Sequence, residues 1–336
     1  MNVHYFSLNL NQKREILNTY SANMGKQPDI LEKDIWICWV LQILFSNPKL
    51  HSMVFKGGTS LSKCYGIINR FSEDVDITLD YKGFQKDFNP FNETKTQINK
   101  KSNAIKAQVE EYIENTIRPF LENEAKKLNI SNQEGCFSTK REKDKLYFHY
   151  PRIFSEESGY LKPEVLLEFG GRNSIIPNED RCITPDIAKE IPHLSFPKAR
   201  VKVLSPSRTF WEKATLIHAE CNRDRDITHI NRLSRHWYDL VQFKTHDSGE
   251  RALKNRELLK DVIKYKNVFF SAKYNHFDDC LNGNFKLVPN ERLRKELEED
   301  YRKMCEAGMI LKSPIPDFDD LMGIIKLIEE EINSGS

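Results

Sequence analysis

The sequence predicts an α+β protein, with a small mixed sheet in residues 1–204 and a helical C-terminal domain over 205–336. Three observations support this expectation. Short apolar runs of strand character lie ahead of residue 205: the run ending at Lys56, the one carrying Asp74 and Asp76, then Leu146–Tyr150, Val165–Phe169 and Ala199–Leu204. From Ser205 onward, apolar residues recur at helical spacing. Between the first two strands, Gly57-Gly58-Thr59-Ser60 marks a sharp strand-to-helix turn.

Composition sets the outer limits. The 336 residues suffice for one large or two modest domains. With 39% hydrophobic and 30% charged residues, the chain is too apolar for disorder. A net charge of +2 does not announce a nucleic-acid partner, so any basic surface must be local. Seven cysteines (Cys38, Cys64, Cys136, Cys182, Cys221, Cys280, Cys305) are scattered and odd in number, with no Cys-x-x-Cys pair. That argues against a disulfide framework and against zinc, and fits a reducing cytosol. No signal peptide is evident, and no apolar run nears the roughly 18 residues of a membrane span. The expectation is a soluble cytoplasmic protein.

In order, residues 9–22 and Ile30–Leu44 read as helices, the second with a broad buried face and a stop at Asn47-Pro48. Glu32-Lys33-Asp34 sits near its start. Acids there suit the positive end of the helix dipole, so a solvated helix start and a functional role both fit. Next comes the turn. A helix beginning at Thr59 would aim free N–H groups at an anion. Asp74 and Asp76 are two apart on a strand and so share a face, which suits a pair of divalent cations. A helix-prone segment, Glu93–Leu128, is expected to kink at Pro119. Its lysines 95, 100, 101 and 106 form either a solvated face or a phosphate-binding groove. Glu168 stands alone in an apolar run, either as a site carboxylate or as a water-facing edge residue. After a Pro/Asp-rich connector and the strand at 199–204, Ser205-Pro206 offers a helix start. Lys213 lies beside that helix's apolar face, a position where snorkelling to the surface is common. Asp239 is four residues after Arg235, the spacing of a helical ion pair. Further helices are expected near 249–265, 290–306 and 316–332.

The stretch FKGGTSLSKCYGIINRFSEDVDITL resembles the signature of the polymerase-β-type nucleotidyltransferase superfamily, and in its finer wording the AbiEii/AbiGii toxin branch. Fifteen residues separate Gly58 from Asp74, a slightly long spacing. Glu32-Lys33-Asp34 before tryptophans, EVLLEFGGR around Glu168, the Glu212-Lys213 helix and RHWYDL around Asp239 are similar to further elements of that branch. The resemblance implies a nucleotidyltransferase-fold domain closed by the helical one, with the site between them. Asp74, Asp76 and Glu168 would hold two Mg²⁺ ions. Lys56, Gly57 and Gly58, with Thr59 or Ser60, would bind the NTP phosphates. Lys213 would engage the triphosphate, and Asp239 would take part in activity. It further implies a toxin of a toxin–antitoxin or abortive-infection system, acting on an RNA 3′ end such as that of tRNA and neutralised by an antitoxin. The lysines of 95–106, the charged run 140–145 and Arg223, Arg225, Arg232 and Arg235 are candidates for an RNA track. A nucleotide-binding module without transfer, and transfer to a protein acceptor, remain alternative readings.

Overall fold

The computed structural model describes residues 3–128, 136–139, 142–154, 162, 164–223, 230–311 and 314–335. In chain order, β1 (Val3–His4) precedes α1 (Leu10–Met24) and α2 (Pro28–Ser46). β2 (Met53–Lys56), α3 (Gly57–Lys63) and β3 (Asp74–Leu79) follow. α4 (Lys95–Tyr112) and α5 (Arg118–Lys127) come next. Six strands come after them: β4 (Phe137–Thr139), β5 (Lys145–Phe148), β6 (Val165–Gly170), β7 (Asn178–Ile183), β8 (Leu194–Ser195) and β9 (Ala199–Leu204). The remainder is helical: α6 (Pro206–Cys221), α7 (Arg235–Lys244), α8 (Asp247–Lys254), α9 (Arg256–Phe269), α10 (Glu291–Glu306) and α11 (Phe318–Ser334). Among the described residues no helix is long and apolar enough to cross a membrane.

Local chemistry accounts for most boundaries. α1 opens with a capping box between Asn9 and Gln12 and closes on Gly25 at φ 61°. α2 opens with Pro28 in its first turn. Its Glu32, Lys33 and Asp34 are 2%, 1% and 4% exposed, which overturns a solvated helix start. The break in the 93–128 segment is a π turn at Ile113–Ile117. Pro119 then falls in the first turn of α5, where its missing N–H is harmless. Ser205 takes the cap position of α6, but its side chain makes no capping bond. The helix expected near 249–265 is two helices that meet at Asn255.

Seven strands form one mixed sheet in the order β4-β5-β6-β3-β2-β9-β7. β3 pairs antiparallel with β2 and parallel with β6, so the Asp-x-Asp strand occupies the middle. β7 was read in the sequence as connector. It is an edge strand whose residues 179–182 are all exposed, so it carries no apolar alternation to betray it. α2 packs Trp36 and Trp39 against Phe148 of β5. Phe148 pairs with Val165, and the two-residue period puts both on the face opposite Glu168 and Asp76.

The chain divides into two compact units. The first comprises Met1–Cys64, Phe71–Phe88 and Lys101–Val203 and holds the large sheet. The second comprises Tyr65–Arg70, Asn89–Lys100 and Leu204–Ser336. Its core is built on Phe210, Trp211, Trp237 and Phe243, all at most 1% exposed. Both indoles are satisfied, Trp211 by the Ala252 carbonyl at 3.1 Å and Trp237 by that of Leu287 at 2.9 Å.

Candidate active site

On the sheet, strand register lines up four charged residues. Lys56 of β2 is opposite Asp76 of β3, Asp76 is opposite Glu168 of β6, and Glu168 is opposite Lys145 of β5. Period two places Asp74 on the same face as Asp76. The central strand thus carries the two aspartates, and its parallel neighbour supplies the glutamate at matching height. Asp74 is 8% exposed, and the Glu168 side chain 34%.

The turn before α3 is shaped around this row. Gly57 has φ +80°, a conformation L side chains rarely adopt. A Cβ there would lie 2.0 Å from Asp76 Oδ2, so the carboxylate rests where only a hydrogen can fit. Gly58 follows, buried, in the first turn of a helix that starts two residues earlier than Thr59. Thr59 is 1% exposed, and its hydroxyl bonds to the Asp74 carbonyl and to Ser72 Oγ. Ser60 Oγ donates to the Gly57 carbonyl at 2.9 Å. Both hydroxyls therefore brace the turn and the start of β3. Lys56 occupies the cap position of α3 and makes no side-chain capping bond.

The buried Glu32-Lys33-Asp34 triplet ties α2 to the same region. Lys33 Nζ pairs with Glu73, the residue before Asp74, and donates to the Lys162 carbonyl at 2.9 Å. Asp34 pairs with Lys63 of α3 at 2.7 Å, and Lys63 also meets Asp186 at 2.7 Å. Burial alone would discharge Lys63, but Asp34 and Asp186 more than offset it and hold the ammonium charged. Glu32 accepts the Ile153 N–H at 2.9 Å. Burial lifts its carboxyl to about 7, with the backbone N–H groups and Arg152 opposing only in part.

The second unit holds a separate ionic cluster. Arg70 grips Asp239 of α7 through two bonds, Nε to Oδ1 at 2.7 Å and Nη2 to Oδ2 at 2.8 Å. Lys213 of α6 reaches Oδ2 at 2.9 Å. Asp239 is 0% exposed, Arg70 4% and Lys213 7%, so neither Lys213 nor Asp239 is the surface residue that the simplest sequence alternative supposed. Burial raises the Asp239 carboxyl, and Arg70 with Lys213 reverses this, holding it well below the usual carboxylate range. Lys213 is lowered by its own burial and by Arg70, against the pull of Asp239. His236 Nδ1 lies 3.4 Å from Lys213 Nζ. Burial and the cations Lys213 and Arg235 push His236 far down, so it is neutral.

Arg70 and Glu73 were not singled out in the sequence, while Lys33 was weighed only within Glu32-Lys33-Asp34 and Lys145 only within the charged run 140–145. Arg70 and Glu73 lie inside the recognised stretch, and a lone arginine after Ile67-Ile68 gives the same kind of signal as Glu168 in its apolar strand. The proposed RNA track is heterogeneous. Lys95, Lys100 and Lys106 are exposed, whereas Arg223 bonds Glu220 and sits over Tyr274 at 4.7 Å. Lys140, Arg141 and Arg225 lie outside the described residues.

A family pattern described as nucleotidyl transferase AbiEii toxin, type IV TA system, matches residues 39–323, which include every residue of both clusters from Lys56 to Asp239. The chain belongs to that family. It is a nucleotidyltransferase, of a family of toxins of type IV toxin–antitoxin systems. Among solved structures it is similar to MenT4, a nucleotidyltransferase toxin from Mycobacterium tuberculosis H37Rv, at 17% identity and a TM-score of 0.45, covering 97% of this chain and 98% of that one. No curated protein matches the chain.

The sheet row has the chemistry a hard divalent cation requires. Asp74, Asp76 and Glu168 offer only carboxylate oxygens, and Mg²⁺ needs just one or two of them because it keeps several waters. Among the described residues no three His, Cys, Asp or Glu side chains converge into a ready-made cage. The backbone register brings Asp76 and Glu168 side by side, while the Glu168 carboxylate meets Lys145 at 3.1 Å.

Proposed function

We propose that the chain moves a nucleoside monophosphate from an NTP to an acceptor hydroxyl at the 3′ end of an RNA such as tRNA, as a toxin restrained by a partner antitoxin. The observation that supports this most is the register of Asp76 with Glu168 on adjacent parallel strands, with Asp74 on the same face. Asp74, Asp76 and Glu168 would hold Mg²⁺, which supplies charge neutralisation at the phosphates and a lowered acceptor pKa. The Gly57-Gly58 turn sets Gly57 against the Asp76 carboxylate and opens α3, whose first backbone N–H groups would receive phosphate oxygens. Lys56, opposite Asp76, adds a positive charge to that end of the row. The acceptor oxygen attacks the α-phosphorus as the bond to the bridging oxygen breaks. Pyrophosphate leaves, and the hydroxyl proton passes to a β3 carboxylate. Lys213, held by Asp239 with Arg70 in the helical unit, is the further cation that the family resemblance assigns to the nucleotide.

The test is to incubate the chain with total RNA, Mg²⁺ and each labelled NTP in turn, beside an Asp76→Asn control and a chelator control. Label entering RNA, lost in both controls, is the expected result. Label entering protein would move the acceptor to a polypeptide. Nucleotide binding without label transfer under any NTP would reduce the chain to a binding module. RNA binding that does not weaken from about 50 to 200 mM salt would remove the phosphate-track component.

A further inference from the structure

Lys145 ends the charged row on the side away from Lys56. It sits at the start of β5, Cα-paired with Glu168, and its ammonium is 3.1 Å from Glu168 Oε1 and 2.6 Å from Glu142 Oε2. The Lys145 side chain is 29% exposed and that of Glu168 34%, so the pair is partly screened from water and still open to an incoming ion. The carboxylate that register places beside Asp76 is thus neutralised by a lysine, and the three acids do not converge.

We propose that Lys145 is a built-in counter-cation that competes with a divalent ion for Glu168, so that Lys145 lowers the affinity of the site for that ion. The inference rests on the reading of Asp74, Asp76 and Glu168 as the metal-holding set. Two features suit the residue to this task. A lysine is a compact charge on a flexible stem and can swing away without breaking a bidentate lock, as an arginine could not. Glu142, only 2.6 Å away, is a second anionic partner, so the released ammonium stays neutralised on its own strand edge. Removing the ammonium therefore removes both a competitor for Glu168 and a like charge facing the incoming cation. Lys145 is a positioning residue in this account.

The probe is Mn²⁺ alone, titrated into the full chain without nucleotide and followed by the electron paramagnetic resonance of the free ion, with thermal unfolding as a folding control. Lys145→Gln and Lys145→Met should bind Mn²⁺ at least about threefold more tightly than the unaltered chain, because the neutral side chain no longer competes. Lys145→Arg keeps the charge and can lock Glu168 bidentately, so it should bind Mn²⁺ no more tightly than the unaltered chain. Asp76→Asn should weaken binding. If the neutral variants fold but bind no more tightly while Asp76→Asn loses affinity, the metal reading stands and the role of Lys145 is overturned. A merely structural cross-strand pair gives that same pattern, lost stability with unchanged affinity. Should the unaltered chain take up no Mn²⁺, the metal reading and the inference both fall.

Discussion

Asp76 and Asp239 are both aspartates of this nucleotidyltransferase, and their surroundings could hardly differ more. Asp76 sits mid-sheet in a row shared with Glu168, partly open, against a glycine that leaves room for its carboxylate. Asp239 is sealed in the helical unit and taken by Arg70 and Lys213. An acid in register with another acid on a partly open face is placed to share a cation. A sealed acid held by two cations has already gained them, and its contribution is to keep Arg70 and Lys213 in place. The contrast divides the expected consequences of mutation. Loss of Asp239 should be felt first in stability, and loss of Asp76 first in chemistry.

The largest effect should come from the sealed side. Asp239→Ala leaves Arg70 and Lys213 buried without their shared partner, and removing one member of a buried ion pair costs about 3–5 kcal/mol. Urea unfolding measures it. A loss under about 0.5 kcal/mol, the range of ordinary surface positions, would erase the distinction between the two aspartates. Asp74→Asn or Asp76→Asn should instead lower transfer by at least about 100-fold, the scale of several kcal/mol of lost charge stabilisation. Stability should hold or rise, because neighbouring acids repel one another less once one is neutral. Near-normal turnover in either variant would end the two-metal reading.

Gly57→Ala tests the geometry between these extremes and should strike both properties. Its φ of +80° and the 2.0 Å approach to Asp76 Oδ2 cannot both survive a Cβ. The expected loss is about 1–3 kcal/mol of stability, the scale of a residue forced into a sparsely populated backbone region. Reduced transfer should accompany it as the carboxylate is pushed aside. Thermal unfolding and a transfer assay on the same preparation separate the two, and intact activity with lowered stability would show that the Asp76 position tolerates displacement.

How much of this could be read in the sequence depends on the distance between partners. Asp74 and Asp76 share a face by strand period alone, and Glu168 was conspicuous as a charge in an apolar run, so the sheet row was legible. The Arg70–Asp239 clamp was not, because 169 residues separate its members and the nearer Arg235 offered an obvious helical partner. The Glu32-Lys33-Asp34 triplet was left between a solvated helix start and a functional role for a related reason. Acids near a helix start usually face water, and only the tertiary partners Glu73, Lys63 and Ile153 explain how three successive ionisable side chains stay dry. β7 escaped notice because an exposed edge strand needs no apolar alternation.

The smallest expected effect is a slope, and it extends the comparison to a third acid. Glu32 is as buried as Asp239, but backbone N–H groups and a nearby Arg152 do not overcome its desolvation, so its carboxyl rises to about 7 from an ordinary 4.5. The folded state then holds a proton that the unfolded chain has released. Its contribution to stability is complete below the ordinary carboxylate range and is lost as pH rises through about 7. Asp239, lowered by Arg70 and Lys213 against its burial, acts in the opposite sense. Its contribution is complete above the ordinary aspartate range and disappears as pH falls below it. Glu32→Gln keeps an acceptor for the Ile153 N–H and cannot ionise. Unfolding free energies from urea titrations between about pH 5 and about 8 should therefore fall less steeply in Glu32→Gln than in the unaltered chain, by at most about 1.4 kcal/mol per pH unit. The acid limb governed by Asp239 should be unchanged. Identical slopes in the two chains would mean that Glu32 is ionised in the folded protein at neutral pH, and that burial without a clamping cation is tolerated here.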